Sequence, residues 1–294
     1  MPSAGLALRS APIYAGRVQF QIRHDSLYRY DVPIQLADHV LRLTPRPGSV
    51  QLGSHRLSVV PEPVSLEHAT DGFGNAIVRL RFGGTTQTLQ VLSELELGTL
   101  SQPAPSGAPL PAAGLLSLPG ESGLLPYRGG WIHPDVARFA AGLAAEAGHE
   151  SVAFLDHLAR TLFASIDRGV RPTGEARAAH ETLSLRSGAC RDLTVLFLDA
   201  CRSLGLPARF VSGYQAQAQS QDGQRHLHAW AEVALPGAGW RGWDPMHGLR
   251  VGEGHVALSV APDQAGTMPI EGGYYFQGPS VNSTLDHSVT IRTS

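Results

Sequence analysis

Cys190 is the residue of this chain whose type and position best suit nucleophilic chemistry. It opens a stretch, residues 190–204, whose apolar side chains recur every three or four positions. This spacing predicts an amphipathic helix with Cys190 in its first turn, on the inward side. The unpaired backbone N–H groups at a helix N-terminus favour an anion, so they stabilise the thiolate form of a cysteine at that place. A thiolate is a nucleophile.

The predicted helix has end signals as well as an apolar face. Arg202, Gly205 and Pro207 are typical of a helix that ends near residue 204. Cys201 lies on the same face, roughly 16 Å from Cys190 at the helical rise, which is too far for a disulfide or a shared metal. We therefore interpret Cys201 as a core residue. The apolar positions are Leu193, Leu196, Phe197, Ala200, Cys201 and Leu204.

Two strands further along the chain carry an imidazole and a carboxylate. Residues 226–235 alternate, with His226, His228, Trp230 and Glu232 on one face, and a turn at Pro236-Gly237 leads to a second strand over residues 239–244. If residues 234 and 238 pair across a three-residue loop, His228 stands opposite Asp244. Any register with an even pair sum keeps both side chains on one face. The hairpin therefore predicts an imidazole–carboxylate contact.

These three side chains are the parts needed for nucleophilic acyl transfer. His228 would take the proton of Cys190 and later give one to a leaving amine, while Asp244 would hold the ring in the correct tautomer. The oxyanion that forms during attack on an amide needs aimed donors, and the backbone N–H of Cys190 is one. The second donor stays open.

Two other interpretations compete with this one. His226 and His228, two apart on one strand face, could join His247 and Asp244 as metal ligands, because His-x-His on a strand is a known ligand spacing. Alternatively, the cleft could hold a peptide or protein tail without turnover, which would make the protein a binding module. Preferential alkylation of Cys190 over Cys201 would favour catalysis, whereas stoichiometric zinc would favour the metal site.

Composition excludes several classes of function. The chain has 294 residues, of which 43% are hydrophobic and 16% charged, and a formal net charge of -2 with no long basic run. We therefore expect neither a nucleic-acid nor a membrane partner. Two cysteines cannot form a disulfide framework, and the N-terminus lacks the features of a signal peptide. These features predict a soluble protein of the cytoplasm.

The rest of the chain reads as two folded parts joined by a linker. Short alternating runs separated by Pro and Gly clusters predict an antiparallel β-sandwich over residues 1–102. Residues 103–130 are rich in Pro and Gly and form the connector, and residues 131–294 hold helices over 134–147 and 151–166 before the Cys190 helix. A last alternating run, residues 281–291, predicts a final strand. The strands predicted for the first part are residues 17–24, 40–44, 55–60, 77–82 and 88–97.

The chain resembles the bacterial transglutaminase-like cysteine hydrolases. Three blocks in family order carry the resemblance, and the first part resembles the β-sandwich that precedes such catalytic domains, notably around residues 39–46 and 71–75. The blocks are Gly188-Ala189-Cys190-Arg191-Asp192, Leu206-Pro207-Ala208-Arg209-Phe210-Val211-Ser212-Gly213-Tyr214, and His228-Ala229-Trp230-Ala231-Glu232 with Gly239-Trp240-Arg241-Gly242-Trp243-Asp244-Pro245.

The resemblance implies an α+β protein, with a papain-like catalytic core and Cys190, His228 and Asp244 as its triad. It implies thiol acyl-enzyme chemistry on peptide or isopeptide amides, with water or an amine as acceptor. Hydrolysis is favoured over cross-linking, because many bacterial members resemble peptidases or amidases and because no Trp lies between Trp131 and Trp230 to assist the oxyanion as in the animal cross-linking enzymes. We expect no cofactor.

Several residues outside the triad receive lesser predictions. The expected substrate contacts are Trp230, Tyr214 and His226. Asp192 and Glu232 are interpreted as structural partners of nearby arginines, and His255 as part of a surface loop.

Overall fold

The alternating apolar residues of the first hundred positions form two antiparallel sheets that pack face to face. The computed structural model describes residues 6–9, 18–101, 104–110, 121–169, 171, 174–216 and 225–294. The predicted sandwich is confirmed; the strands predicted at residues 17–24, 55–60 and 88–97 are longer than expected, and the one predicted at residues 40–44 is shorter. The observed strands are β1 (Leu6–Arg9), β2 (Gln19–Leu36), β3 (His39–Leu41), β4 (Val50–Val60), β5 (Ser65–Thr70), β6 (Ala76–Arg81) and β7 (Thr86–Thr99).

The sandwich is held together by apolar side chains that alternate with polar ones. In β2, Phe20 and Ile22 are buried while Gln21 is exposed, and Ile22 stands opposite Leu95 of β7. Burial of such side chains is the main term that stabilises a two-sheet packing. The strand β5 was not predicted from the sequence because most of its residues are exposed, so it carries no alternating pattern.

Four α-helices follow the sandwich, and no helix among the described residues is long and apolar enough to cross a membrane. The segment from α1 to α4 contains α1 (Pro134–Glu146), α2 (Ser151–Ser165), β8 (Asp167–Arg168), α3 (Ala179–Leu185), β9 (Ser187–Gly188) and α4 (Cys190–Ser203). The helices predicted before and at Cys190 end within one residue of the observed ends, since cap signals such as Pro134 and Gly205 are local. Helix α3 was not predicted.

The predicted connector is only partly described. Residues 102–103 and 111–120 lie outside the described residues. Glu121–Arg128 forms a 3-10 helix inside the stretch that was predicted to be a connector. The backbone oxygen of Tyr127 in this helix accepts a hydrogen bond from Arg202 Nε at 3.2 Å, so this stretch is tied to the far end of α4.

A five-stranded antiparallel sheet carries the remaining candidate residues. Its strands are β10 (Ala208–Gln215), β11 (His228–Leu235), β12 (Gly239–Asp244), β13 (Leu249–Arg250) and β14 (His255–Ala261), in the spatial order β13-β12-β11-β10-β14. Ala229, Ala231 and Val233 pack with the helices. Val256 and Leu258 pack into the sandwich core. The sheet therefore lies between the helices and the sandwich.

The last strands return to the sandwich. They are β15 (Ile270–Glu271), β16 (Tyr274–Tyr275) and β17 (Ser283–Thr293). The predicted strand over residues 281–291 exists, and β17 pairs with β2 along its length while β15 pairs with β3. The assignment of residues 131–294 to one catalytic domain therefore needs a correction, because Val289 and Ile291 are buried in the sandwich core.

Candidate active site

Cys190 occupies the first position of α4, as the helical spacing predicts. The residue is neither fully buried nor fully exposed, in contrast to Cys201 further along the helix. The N–H groups of a first helical turn have no acceptor within the helix, which makes the backbone around Cys190 a place for negative charge.

Asp192 fixes the entry to this helix. Its carboxylate accepts the backbone N–H of Ala189 at 2.8 Å and that of Arg177 at 2.8 Å, and it forms a 2.7 Å ion pair with Arg171 Nη2. A carboxylate in the first turn also stabilises the positive end of the helix. The predicted structural role of Asp192 is confirmed, as is that of Glu232, which binds Arg209 at 2.6 Å.

His228 begins strand β11, and its Nε2 donates to Asp244 Oδ2 at 2.8 Å. The predicted imidazole–carboxylate contact is therefore present. The predicted register was wrong, since Ala234 pairs with Trp240 and the three-residue loop lies one position later. The contact survives because the observed pair sum is also even, which leaves both side chains on one face.

The His228 ring, which donates to Asp244, also forms a hydrogen bond with the thiol of Cys190. Burial acts to raise the pKa of Cys190, but the hydrogen bond and charge of His228, the N–H of Ala229 and the charge of Arg191 outweigh it and lower that pKa below its usual value. Burial acts to lower the pKa of His228, yet Asp244 and Cys190 raise it to about 10. With Nε2 bound to Asp244, Nδ1 is the nitrogen left for sulfur. The arrangement favours a thiolate–imidazolium pair.

Asp244 is buried and accepts five hydrogen bonds. Its Oδ1 takes the backbone N–H groups of Met246 at 3.0 Å and His247 at 3.3 Å. Its Oδ2 takes His228, His247 Nδ1 at 2.7 Å and His255 Nε2 at 3.1 Å. Burial alone would raise the pKa of this carboxyl, but the charge of His228 and these hydrogen bonds hold it well below its usual range. Asp244 is therefore a fixed anion.

His255 is the functional candidate that sequence reasoning placed wrongly. It was interpreted as part of a surface loop, whereas it is 9% exposed and begins strand β14. Gly252 N–H donates to its Nδ1 at 3.4 Å, which leaves Nε2 as the donor to Asp244. Burial lowers the pKa of His255, so the ring acts as a neutral donor. Alternation of Val256, Leu258 and Val260 after it was the available signal of a strand.

Of the four ligands predicted for the competing metal site, the structure brings three together. Donor atoms of His228, Asp244 and His247 lie within 4.8 Å of one another, and such a set of imidazoles and carboxylate suits Zn²⁺. His226 is not among them, because its Nδ1 lies 3.3 Å from His287 Nε2 and it precedes the strand that was predicted to include it. A metal at this place would displace the hydrogen bond between His228 Nε2 and Asp244.

The three expected substrate contacts have different surroundings. Tyr214 is fully buried, and its hydroxyl lies 2.9 Å from Nδ1 of His24, so it packs in the sandwich core and the predicted contact was wrong. Trp230 is 1% exposed and stands edge-on to the His255 ring at 5.3 Å, so it supports the histidine beside the carboxylate. His226 is partly exposed and lies away from the Asp244 cluster, beside His287.

Comparison with known proteins gives two family matches. Residues 20–97 match the bacterial transglutaminase-like N-terminal region, and residues 137–245 match the transglutaminase-like superfamily. The second match contains Cys190, His228 and Asp244. The resemblance that the sequence motifs predict is confirmed.

Relatives and a solved structure extend over nearly the whole chain. An uncharacterized protein of Mycobacterium tuberculosis is 26% identical over 94% of this chain and 93% of its own. One of Mycobacterium leprae is 27% identical over 47% of this chain and 50% of its own. A candidate cysteine protease from Cytophaga hutchinsonii has a TM-score of 0.70 at 19% identity, over 98% of this chain and 93% of its own. The last likeness shows a shared fold.

Proposed function

Because residues 137–245 match the transglutaminase-like superfamily, we propose that the protein is a thiol-dependent acyl-transfer enzyme that acts on peptide or isopeptide amides. The observation that carries this proposal is the convergence of Cys190, His228 and Asp244, which are far apart in the chain. The thiol of a partly exposed cysteine hydrogen-bonds to an imidazole, and the imidazole in turn donates to a buried carboxylate. This is the sequence of groups that activates a nucleophile.

The proposed reaction uses two steps. The Cys190 thiolate attacks the carbonyl carbon of the amide, and the first-turn N–H groups of α4 stabilise the oxyanion. The C–N bond then breaks, His228 gives its proton to the leaving amine, and a thioester remains on sulfur. In the second step His228 takes a proton from water, the hydroxide adds to the thioester carbon, and the sulfur leaves as the thiolate.

We propose hydrolysis rather than cross-linking as the second step. The support is the absence of a Trp between Trp131 and Trp230, the position from which the animal cross-linking enzymes assist the oxyanion. The proposed substrates are peptides or proteins, with no nucleic acid or membrane as partner. The net charge of -2 supports this, because it gives no attraction to polyanions. The proposed compartment is the cytoplasm, because a reducing environment suits the two free cysteines.

A product assay tests the reaction class. Purified protein is incubated with a library of peptides that contain glutamine, and three products are measured: free ammonia, new amino termini and incorporation of a fluorescent primary amine. We expect ammonia or new termini from the wild type and neither from Cys190→Ala, with Cys201→Ala as the matched control. More incorporation of the amine than hydrolysis would contradict the proposal that water, rather than an amine, accepts the acyl group. No turnover of any peptide, together with unaltered binding by Cys190→Ala, would favour a binding module.

A further inference from the structure

A cavity separates the triad-bearing sheet from the sandwich. Its volume is about 390 Å³, and it lies between the turn that contains Arg46 and Ser49 and the sheet residues Trp230, Glu232 and His255. This volume falls within the range of small-molecule sites and would hold an organic molecule as large as a dipeptide. The cavity is distinct from the place where Cys190 meets His228, although His255 forms part of its wall and contacts Asp244.

Two residues of this cavity wall have an N–H donor that lacks a hydrogen-bond acceptor among the described residues. The indole Nε1 of Trp230 and the Nε of Arg46 are both buried, and neither has a hydrogen-bond partner within the described residues. Buried polar groups are nearly always paired in folded proteins, because an unpaired donor keeps the full cost of its desolvation. Two such donors on the wall of one cavity indicate a place for an acceptor.

The charges around the cavity define the acceptor further. Arg46 is partly buried and forms no ion pair with the described part of the chain, whereas Glu232 is already bound to Arg209 at 2.6 Å. Burial and the nearby charge of Arg209 lower the pKa of Arg46, and the charges of Glu232 and Asp71 offset this lowering only in part. A guanidinium binds a carboxylate through two parallel N–H donors. Glu232 and Glu253 on the same wall would repel a ligand with several negative charges.

We propose that this cavity binds a small monocarboxylate, with the carboxylate held by Arg46 and the indole N–H of Trp230. The proposal concerns binding alone and does not depend on catalysis by Cys190. The body of the ligand would lie along Val251 and Ala257, which contribute apolar surface to the wall. A carboxylate in the cavity would give Arg46 an ion pair that it does not form with the described part of the chain, and would give the Nε of Arg46 and the Nε1 of Trp230 an acceptor.

The test compares two probes that differ only in charge. N-acetyl-diglycine carries one carboxylate, and its C-terminal amide carries none. Binding of each to the wild-type protein, without any substrate, is measured by calorimetry and by tryptophan fluorescence. We expect one molecule of the carboxylate per chain and an affinity at least tenfold higher than that of the amide, because a hydrogen bond to a charged group contributes more than one to a neutral group.

Variants locate the site. We expect Arg46→Gln to remove the preference for the carboxylate and Trp230→Phe to weaken its binding, while Arg79→Gln, at an exposed arginine of β6, leaves both unchanged. Arg46→Lys, which keeps the charge but not the paired donors, serves if Arg46→Gln does not fold, and it should bind the carboxylate at least tenfold less tightly. Equal binding of the two probes, tighter binding of inorganic phosphate, no saturable binding, or wild-type affinity in the variants that fold would overturn the proposal.

Discussion

The two ends of α4 place the same residue type in opposite chemical environments. Cys190 at the first position is partly exposed, and His228 lowers its pKa against the effect of burial. Cys201, near the other end, is fully buried among apolar side chains, and burial raises its pKa well above the usual value. Both lie on the inward face of the helix. The difference indicates that the ionisation of a cysteine thiol in this helix depends on its position along the helix and on the partner strand rather than on the residue type.

Substitution of each cysteine in turn gives the largest expected contrast. Cys190→Ala should lower kcat/KM by a factor on the order of 10⁴ or more, because the nucleophile itself is lost. Cys201→Ala should keep activity and lower the free energy of unfolding by about 1 kcal/mol through the small cavity it leaves. The two variants are compared by steady-state kinetics and by chemical denaturation. Comparable activity in both would remove the functional distinction between the helix ends.

The difference between Cys190 and Cys201 should also depend on Asp244, because this carboxylate stabilises the protonated ring of His228. Asp244→Asn should lower kcat/KM by a factor on the order of 10³, because an amide can no longer stabilise the imidazolium of His228. Without that carboxylate, the pKa of His228 should fall from about 10, and the alkaline limb of the pH profile should move to lower pH. Wild-type kinetics in a folded Asp244→Asn variant would contradict this arrangement.

The alkylation rates of Cys190 and Cys201 compare the two ends of α4 within one molecule. At pH 6, iodoacetamide should modify Cys190 faster than Cys201 by a factor on the order of 10² or more, because Cys190 is partly exposed with a lowered thiol pKa, whereas Cys201 is buried with a raised one. The rates are measured from peptides by mass spectrometry. His228→Ala should abolish most of the difference by removing the imidazolium, whereas the matched variant His55→Ala, in the sandwich, should preserve it. Equal slow labelling of both cysteines in the wild type would count against an activated thiol.

Asp192 should stabilise the reactive end of the helix specifically. Asp192→Ala should lower the free energy of unfolding by about 2 kcal/mol, because it leaves the Arg171 side chain and two backbone N–H groups without their acceptor. Burial opposes the shift, but the N–H of Arg177 and the Arg171 side chain lower the pKa of this carboxyl in the folded state. Its contribution is therefore full above about pH 4 and is lost as the pH falls through the lowered value.

The measurement is urea denaturation of the wild type and the variant at pH 7 and at pH 3. The difference in unfolding free energy should shrink at the lower pH. Asp199→Ala near the other end of α4 is the control, since Asp199 has a raised pKa and makes only a 3.6 Å contact with Arg202. A difference that stays constant between the two pH values would mean that the charge of Asp192 is not what stabilises the helix start.

The smallest expected effect comes from His255, a positioning residue that acts through Asp244. His255→Leu should lower kcat/KM about tenfold and move the alkaline limb of the pH profile upward, because Asp244 loses one N–H donor and interacts more strongly with His228. His255→Gln, which keeps a donor, should recover both. His55→Leu, at a buried histidine bound to Ser93, is the matched control. A lower rate without a shifted limb would assign His255 a merely structural role.

The parts of this site that follow local rules could be predicted from the sequence. Helix α4 begins at Cys190 because apolar spacing and end signals are contained within a short window. The contact between His228 and Asp244 was predicted although the loop was misplaced by one residue, because only the parity of the pairing matters for which face a side chain takes. Cys201, Asp192 and Glu232 have the surroundings expected of them.

The misplaced residues are those whose neighbours come from distant parts of the chain. Tyr214 was predicted to end a strand and to contact substrate, yet Nδ1 of His24 in the sandwich lies 2.9 Å from its hydroxyl. His255 stands in a short segment after a turn, and nothing local shows that it meets Asp244. The final strand was predicted, but its partner, β2, lies at the other end of the chain.

By itself, the sequence determined the helix that presents Cys190, the faces of the hairpin strands and the presence of an antiparallel sandwich, because periodicity, caps and turns act between near neighbours. Only the tertiary structure decided that three histidines surround Asp244, that Tyr214 is sealed in the sandwich core and that the last strands rejoin the first sheets. Contacts of that kind depend on which surfaces meet when the sheets and helices pack, and no local pattern of residues specifies that choice.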